Sequence, residues 1–97
     1  MIVKVKYEIP RQLAKDRIKQ LLETTVQKHH GLISSHNFDW NDYSCGIKLS
    51  AMKMQLKGSV EVGEEDVQVN LNVPLLFYSY QSKIKTVIED ELNKILK

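Results

Sequence analysis

Period-two alternation dominates the second half of the chain. Met54, Leu56, Gly58, Val60 and Val62 alternate with Lys53, Gln55, Lys57, Ser59 and Glu61. After Gly63-Glu64-Glu65-Asp66 the alternation resumes, with Val67, Val69, Leu71 and Val73 set against Gln68, Asn70 and Asn72. Successive strand side chains point to opposite faces, so this pattern predicts a hairpin with one apolar and one wet face. Pro74 ends the ladder because it has no N–H to donate, and it suits the entry to a helix. Phe77, Tyr80, Ile84, Val87, Ile88, Leu92, Ile95 and Leu96 then recur at helical spacing, predicting a helix from about Leu75 to Leu96.

The first half carries both periods. Val3, Val5, Tyr7 and Ile9 alternate with Lys4, Lys6 and Glu8, which predicts a strand over residues 2–9. Pro10 fits a first helical position, and Leu13, Ala14, Ile18, Leu21, Leu22, Thr25 and Val26 recur at spacings of three and four. Gly31, just past the last periodic residue, is expected as a left-handed helix stop. Residues 32–40 and 43–49 read as two further strands joined by a tight turn at Asn41-Asp42. The parity changes between Leu49 and Met54, which requires a turn or bulge near Ser50 to Met52 if one face is to stay apolar.

The order strand, helix, four strands, helix describes an α+β fold. It predicts a mainly antiparallel five-stranded sheet with both helices packed on one face. The length of 97 residues suits a single domain spanning 1–97 with one core. The composition, 42% hydrophobic and 27% charged, is that of a globular chain, and no apolar run approaches the roughly 18 residues of a membrane span. With no apolar leader segment and a single cysteine, the chain is expected to be cytoplasmic. The net charge of +2 does not by itself call for nucleic acid. Its distribution is uneven: basic residues crowd the first helix, and acidic ones crowd the turns at Asp39, Asp42, Glu64, Glu65 and Asp66.

Candidate chemistry is sparse. A metal centre would need at least three converging ligands, and adjacent helical residues such as His29 and His30 diverge by about 100°. No metal or cofactor site is expected, and these histidines suit the carboxyl end of the helix. Cys45 shares parity with Ile47 and Leu49, so it is expected to be a buried, inert thiol; His36 is the one base that could activate it. Glu64, Glu65 and Asp66 lie in an exposed turn with nothing to raise a carboxyl pKa. There is no phosphate-binding glycine loop or nucleophile elbow. An enzyme is therefore not the expected reading.

Two surfaces remain. By parity the open sheet face should display Lys4, Lys6, Lys48, Lys53 and Lys57 with Gln55, Gln68, Asn70 and Asn72. Tyr7 and Tyr43 have the opposite parity, so that face lacks the aromatic platform a single-stranded nucleic acid would stack on. The second surface is the junction containing Leu75, Leu76, Phe77, Tyr78 and Tyr80, whose side chains cannot all face one core. It is expected either to plug the open end of the layers or to meet a partner subunit, a lipid-like surface or an apolar ligand.

The whole-chain pattern resembles a known family, the small bacterial polyhydroxyalkanoate granule-region proteins. The resemblance lies in Ala14 and Arg17 on the early helix, Trp40 before the central hairpin, and Gly58 followed by Val60 and Val62. It continues through Val67, Val69, Leu71 and Pro74 into the helix bearing Lys83, Ile84, Val87, Ile88 and Leu92. It implies a small α+β protein linked to storage-polyester synthesis or granules, with no established catalytic activity. The leading expectation is thus a non-enzymatic accessory or binding protein whose partner is a polyester granule surface or its proteins. The alternative is an apolar-ligand binding domain with a pocket between helices and sheet. Lys4 and Lys6 on a short first strand would discourage edge pairing, so a monomer, or a weak homodimer through the final helix, is expected.

Overall fold

The computed structural model describes residues 1–97 as five strands and two α-helices. They are β1 (Ile2–Lys6), α1 (Arg11–Lys28), β2 (Ile33–Asn41), β3 (Ser44–Ala51), β4 (Met54–Val62), β5 (Asp66–Asn72) and α2 (Gln81–Leu96). The strands form one antiparallel sheet in the order β1-β5-β4-β3-β2, so the first two strands in sequence stand at opposite edges. Both helices lie on one face, as the order of elements predicts. α1 crosses from the first edge to the second and packs against α2, and α2 covers the β1 side.

The register explains which side chains meet. Val3 and Val5 stand opposite Val69 and Val67 on β5, and Val60 stands between Cys45 and Val69. All six are buried together with Ala14 and Ile18 of α1 and Leu92 and Leu96 of α2. Gly58 stands between Ile47 and Leu71. A Cβ there would come within 2.7 Å of both the Asn70 carbonyl and the Leu71 side chain, so glycine is required by close approach, not by a bulge.

Several local expectations need correction. β1 stops at Lys6, because the next backbone N–H leaves the ladder: Tyr7 N–H donates to the Glu65 carbonyl at 3.0 Å. The first hairpin turn is Asp42-Tyr43, one residue later than Asn41-Asp42, since Asn41 still pairs with Ser44 and Asp42 takes the positive φ of 54°. The second is Met52-Lys53, with Ala51 and Met54 paired across it. Lys53 therefore sits in a turn instead of on the open sheet face. Gly31 is not left-handed. α1 ends at His29 (φ −115°), whose carbonyl accepts N–H bonds from both Leu32 and Ile33 at 2.9 Å, and this closes the turn without a positive φ. Finally, the segment Leu75–Tyr80 is 3-10 helix, and the α-helical part begins only at Gln81.

Candidate functional site

Antiparallel pairing gives the molecule two ends of different character. At one end lie the turns Asp42-Tyr43 and Gly63 to Asp66, the start of α1 and the close of α2. Side chains tie these together. The Tyr7 hydroxyl donates to the Gly63 carbonyl, and Arg11 Nε donates to the Val62 carbonyl at 3.0 Å. The Arg11 guanidinium also lies 3.9 Å over the Tyr43 ring. Arg17 Nη1 donates to the Ile95 carbonyl at 2.7 Å, capping α2 and joining the helices. Burial, with Asp66 and Glu64 nearby, pushes the Tyr7 phenol above its ordinary pKa against the opposing pull of Arg11, so it remains a hydrogen-bond donor.

The other end holds the last turn of α1, the Met52-Lys53 turn and the junction after β5. Pro74 stops the sheet, and Phe77 N–H donates back to the Pro74 carbonyl at 2.9 Å. Five of the six residues from Leu75 to Tyr80 are apolar or aromatic, which leaves no single polar flank for an amphipathic α-helix to turn outward. In the tighter 3-10 geometry, residues i and i+3 eclipse, so Leu75 lines up with Tyr78 and Phe77 with Tyr80. No residue of this segment is buried. Leu75 is 82% exposed and Leu76 74%, with Tyr78 and Tyr80 more than half exposed and Phe77 half-buried. The same end exposes Leu32 and Met52, at 56% and 68%. Sequence periodicity did not connect those two residues to the junction; the sheet topology does.

Beneath this surface the core is incompletely filled. A cleft of about 280 Å³ runs between α1, α2 and the sheet, lined by Ile18, Leu22, Phe38, Leu49, Ile88 and other apolar side chains, with Glu91 and Thr25 as its polar members. A second apolar hollow of about 300 Å³ lies under the 3-10 segment, bounded by Leu56, Val73, Pro74, Phe77 and Ile84, with Lys57 at its margin. The two share Ile47, Leu49 and Leu71 as floor. Each lies at the lower limit of ligand pockets, about 300–1,000 Å³.

The remaining candidates are scattered. Lys4, Lys6, Lys48 and Lys57 are exposed on the strands of the open sheet face, where they alternate with buried or half-buried residues. Cys45 is fully buried opposite Trp40, whereas His36 pairs with Leu49, four positions along β3, so roughly 13 Å of strand separates thiol and imidazole. Burial and the nearby Asp39 raise the thiol's pKa, which disfavours the thiolate. Among the histidines, the Gln27 carbonyl accepts from His30 Nδ1 at 2.9 Å, and no group of three His, Cys, Asp or Glu side chains is placed to hold a metal. Lys15 and Lys19 lie 5.5 and 6.0 Å from the Trp40 ring, so the basic flank of α1 rests on aromatics of the edge strand β2. A larger groove of about 730 Å³ follows β1 beside α2, but its lining mixes Lys4, Lys6 and Lys97 with Glu8 and Glu89.

No helix is long and apolar enough to cross a membrane. A family model described as "Putative polyhydroxyalkanoic acid system protein" matches residues 2–96. No curated protein and no solved structure matches the chain.

Proposed function

The chain belongs to the polyhydroxyalkanoic acid system protein family, and from that premise we propose that it is a non-enzymatic accessory protein of storage-polyester metabolism in the bacterial cytoplasm. It docks by its apolar end on polyester or on a protein seated there. The observation that carries this reading is the exposure of Leu75, Leu76, Tyr78 and Tyr80 on a segment with no buried residue. Exposed apolar residues grouped in this way are characteristic of interaction surfaces. The separation of Cys45 from His36 supports a binding role over a catalytic one. Co-sedimentation of the purified protein with isolated polyester particles tests it. Enrichment that Leu75→Ser/Leu76→Ser removes is expected; recovery equal to that of an unrelated protein of the same charge overturns it.

The cleft supports a second reading, in which the protein carries one apolar ligand. A cavity of about 150 Å³ suffices for benzene, so the cleft of about 280 Å³, together with the hollow of about 300 Å³ that shares its floor and is bounded by Phe77, has room for a single unbranched acyl chain. Saturable thermal stabilisation by a fatty acyl or hydroxyacyl ligand, weakened by Phe77→Ala, is the expected outcome. Stabilisation that is absent, or unchanged in the variant, counts against a pocket.

A further inference from the structure

Charge is sorted along the same axis as hydrophobicity. The runs 24–38, 43–60 and 67–88 contain no Asp or Glu. The topology carries each of them through the apolar end. Within them lie six lysines, Lys28, Lys48, Lys53, Lys57, Lys83 and Lys85, all exposed. None has a carboxylate partner: the one ion pair in the protein is Lys94 with Glu91. Six of the twelve carboxylates gather at the opposite end, at Asp39 and Asp42 and at Glu61, Glu64, Glu65 and Asp66. A net charge of +2 thus conceals a molecule with a cationic apolar end and an anionic tied end.

The Met52-Lys53 turn points the same way. Both residues have left-handed backbones, with φ of 52° and 66°, where a two-residue hairpin favours Asn-Gly. The turn instead carries an exposed apolar side chain beside an exposed ammonium at the tip of this end. Bare apolar polymer offers lysine no counter-charge, whereas an anionic phospholipid layer offers both phosphate oxygens and an acyl boundary. Leucines with flanking tyrosines and lysines match that layering: aliphatic groups enter the boundary, amphipathic rings sit at headgroup level and ammonium groups meet the phosphates.

We propose that the apolar end is a peripheral docking surface for anionic phospholipid. Leu75 and Leu76 enter the acyl boundary, Tyr78 and Tyr80 lie among the headgroups, and Lys53, Lys83 and Lys85 pair with phosphates. This rests on the apolar end being the docking surface, and it specifies what that surface meets.

Flotation with vesicles of phosphatidylcholine alone, or mixed with phosphatidylglycerol, tests it. Binding at least tenfold stronger to the mixed vesicles is expected, about the contribution of one or two lysines near an anionic surface, and it should weaken as salt rises. Lys83→Glu/Lys85→Glu and Leu75→Ser/Leu76→Ser should each reduce binding about tenfold or more with only a small shift in the unfolding midpoint, because these side chains are exposed. Lys6→Glu, near the other end of the sheet, should leave binding within about twofold. Equal binding to both vesicle types, or a loss in Lys6→Glu as large as in the α2 variant, overturns the proposal. Bare polyester particles separate it from the functional reading. Binding to particles but not to mixed vesicles defeats only the phospholipid inference, binding to vesicles but not to particles defeats only polyester docking, and binding to neither defeats both.

Discussion

The two ends of this small sheet are built from the same kinds of strand, yet they are finished differently. At the acidic end, valines from three neighbouring strands are buried, and side chains of Tyr7, Arg11 and Arg17 bond to backbone carbonyls that would otherwise be unpaired at strand and helix ends. At the basic end, Leu49, Leu56, Leu71, Ile84 and Ile88 have the same strand or helix parity but are only half-buried, and hollows remain between them. One end spends its apolar residues on packing; the other leaves them exposed. On the proposed docking role, stability and binding draw on separate sets of residues, and substitutions should separate them.

The largest contrast should appear in truncations. Ile18→Ala or Leu96→Ala, each at a nearly inaccessible position, should cost about 3–4 kcal/mol in urea unfolding, through lost transfer energy and the cavity left behind. Leu49→Ala or Ile84→Ala should cost about 1 kcal/mol, because those side chains are already partly in contact with water and border an existing hollow. Equal losses at both ends would mean that the hollows close in solution.

A smaller effect is expected at Tyr7. Tyr7→Phe keeps the ring but leaves the Gly63 carbonyl without its donor, at a cost of about 1–1.5 kcal/mol. The phenol's folded-state pKa is raised, so stability from this group is full below its unfolded pKa near 10. It declines as pH rises from there toward the folded value, because the unfolded chain loses its proton first. An unfolding series across that range should show the decline in the native protein and a shallower one in Tyr7→Phe. Parallel curves would place the alkaline sensitivity elsewhere.

Most of the architecture was legible because burial on one face imposes alternation, as in Val60, Val62, Val67 and Val69. Legibility failed where a different force decided the local structure. β2 reads poorly because Ser34, Ser35, His36 and Asn37 are all exposed on an edge strand. The Met52-Lys53 turn carries no turn signal, so its position followed only from parity and came out imprecise by a residue or two. Gly31 satisfied a sequence rule for helix stops, but the His29 carbonyl closed the turn in another way. The residues Leu75 to Tyr80 stood out in the sequence as too apolar for one core. Their union with Leu32, Met52 and the lysines did not, since it depends on the register in which β2, β3, β4 and β5 pair side by side.

The Met52-Lys53 turn offers a gain instead of a loss. Met52→Asn/Lys53→Gly places the preferred pair at two left-handed positions and should stabilise the protein by about 0.5–1 kcal/mol. If the strained turn serves binding, the same variant should dock less well while unfolding later. A variant that is more stable and docks equally well would remove the turn from the binding surface.

The smallest effect on stability is expected at the most exposed residues. Leu75→Ser/Leu76→Ser removes two side chains that are 82% and 74% exposed, so unfolding should shift by no more than about 0.5 kcal/mol. Its consequence should lie in assembly. If two copies associate, the exposed leucines of the 3-10 segment before α2 are the apolar surface open to them, whereas the outer edge of β1 carries Lys4 and Lys6 and that of β2 the polar run from Ser34 to Asn37, both unsuited to strand pairing. Sedimentation over a concentration series should show a monomer, or a weak dimer that this variant abolishes. Phe77→Ser/Tyr80→Ser should weaken the same dimer with a larger loss of stability, because Phe77 also roofs the hollow beside Ile84. A tight dimer that survives both pairs of changes would assign association to another face and leave the apolar end free for a different partner.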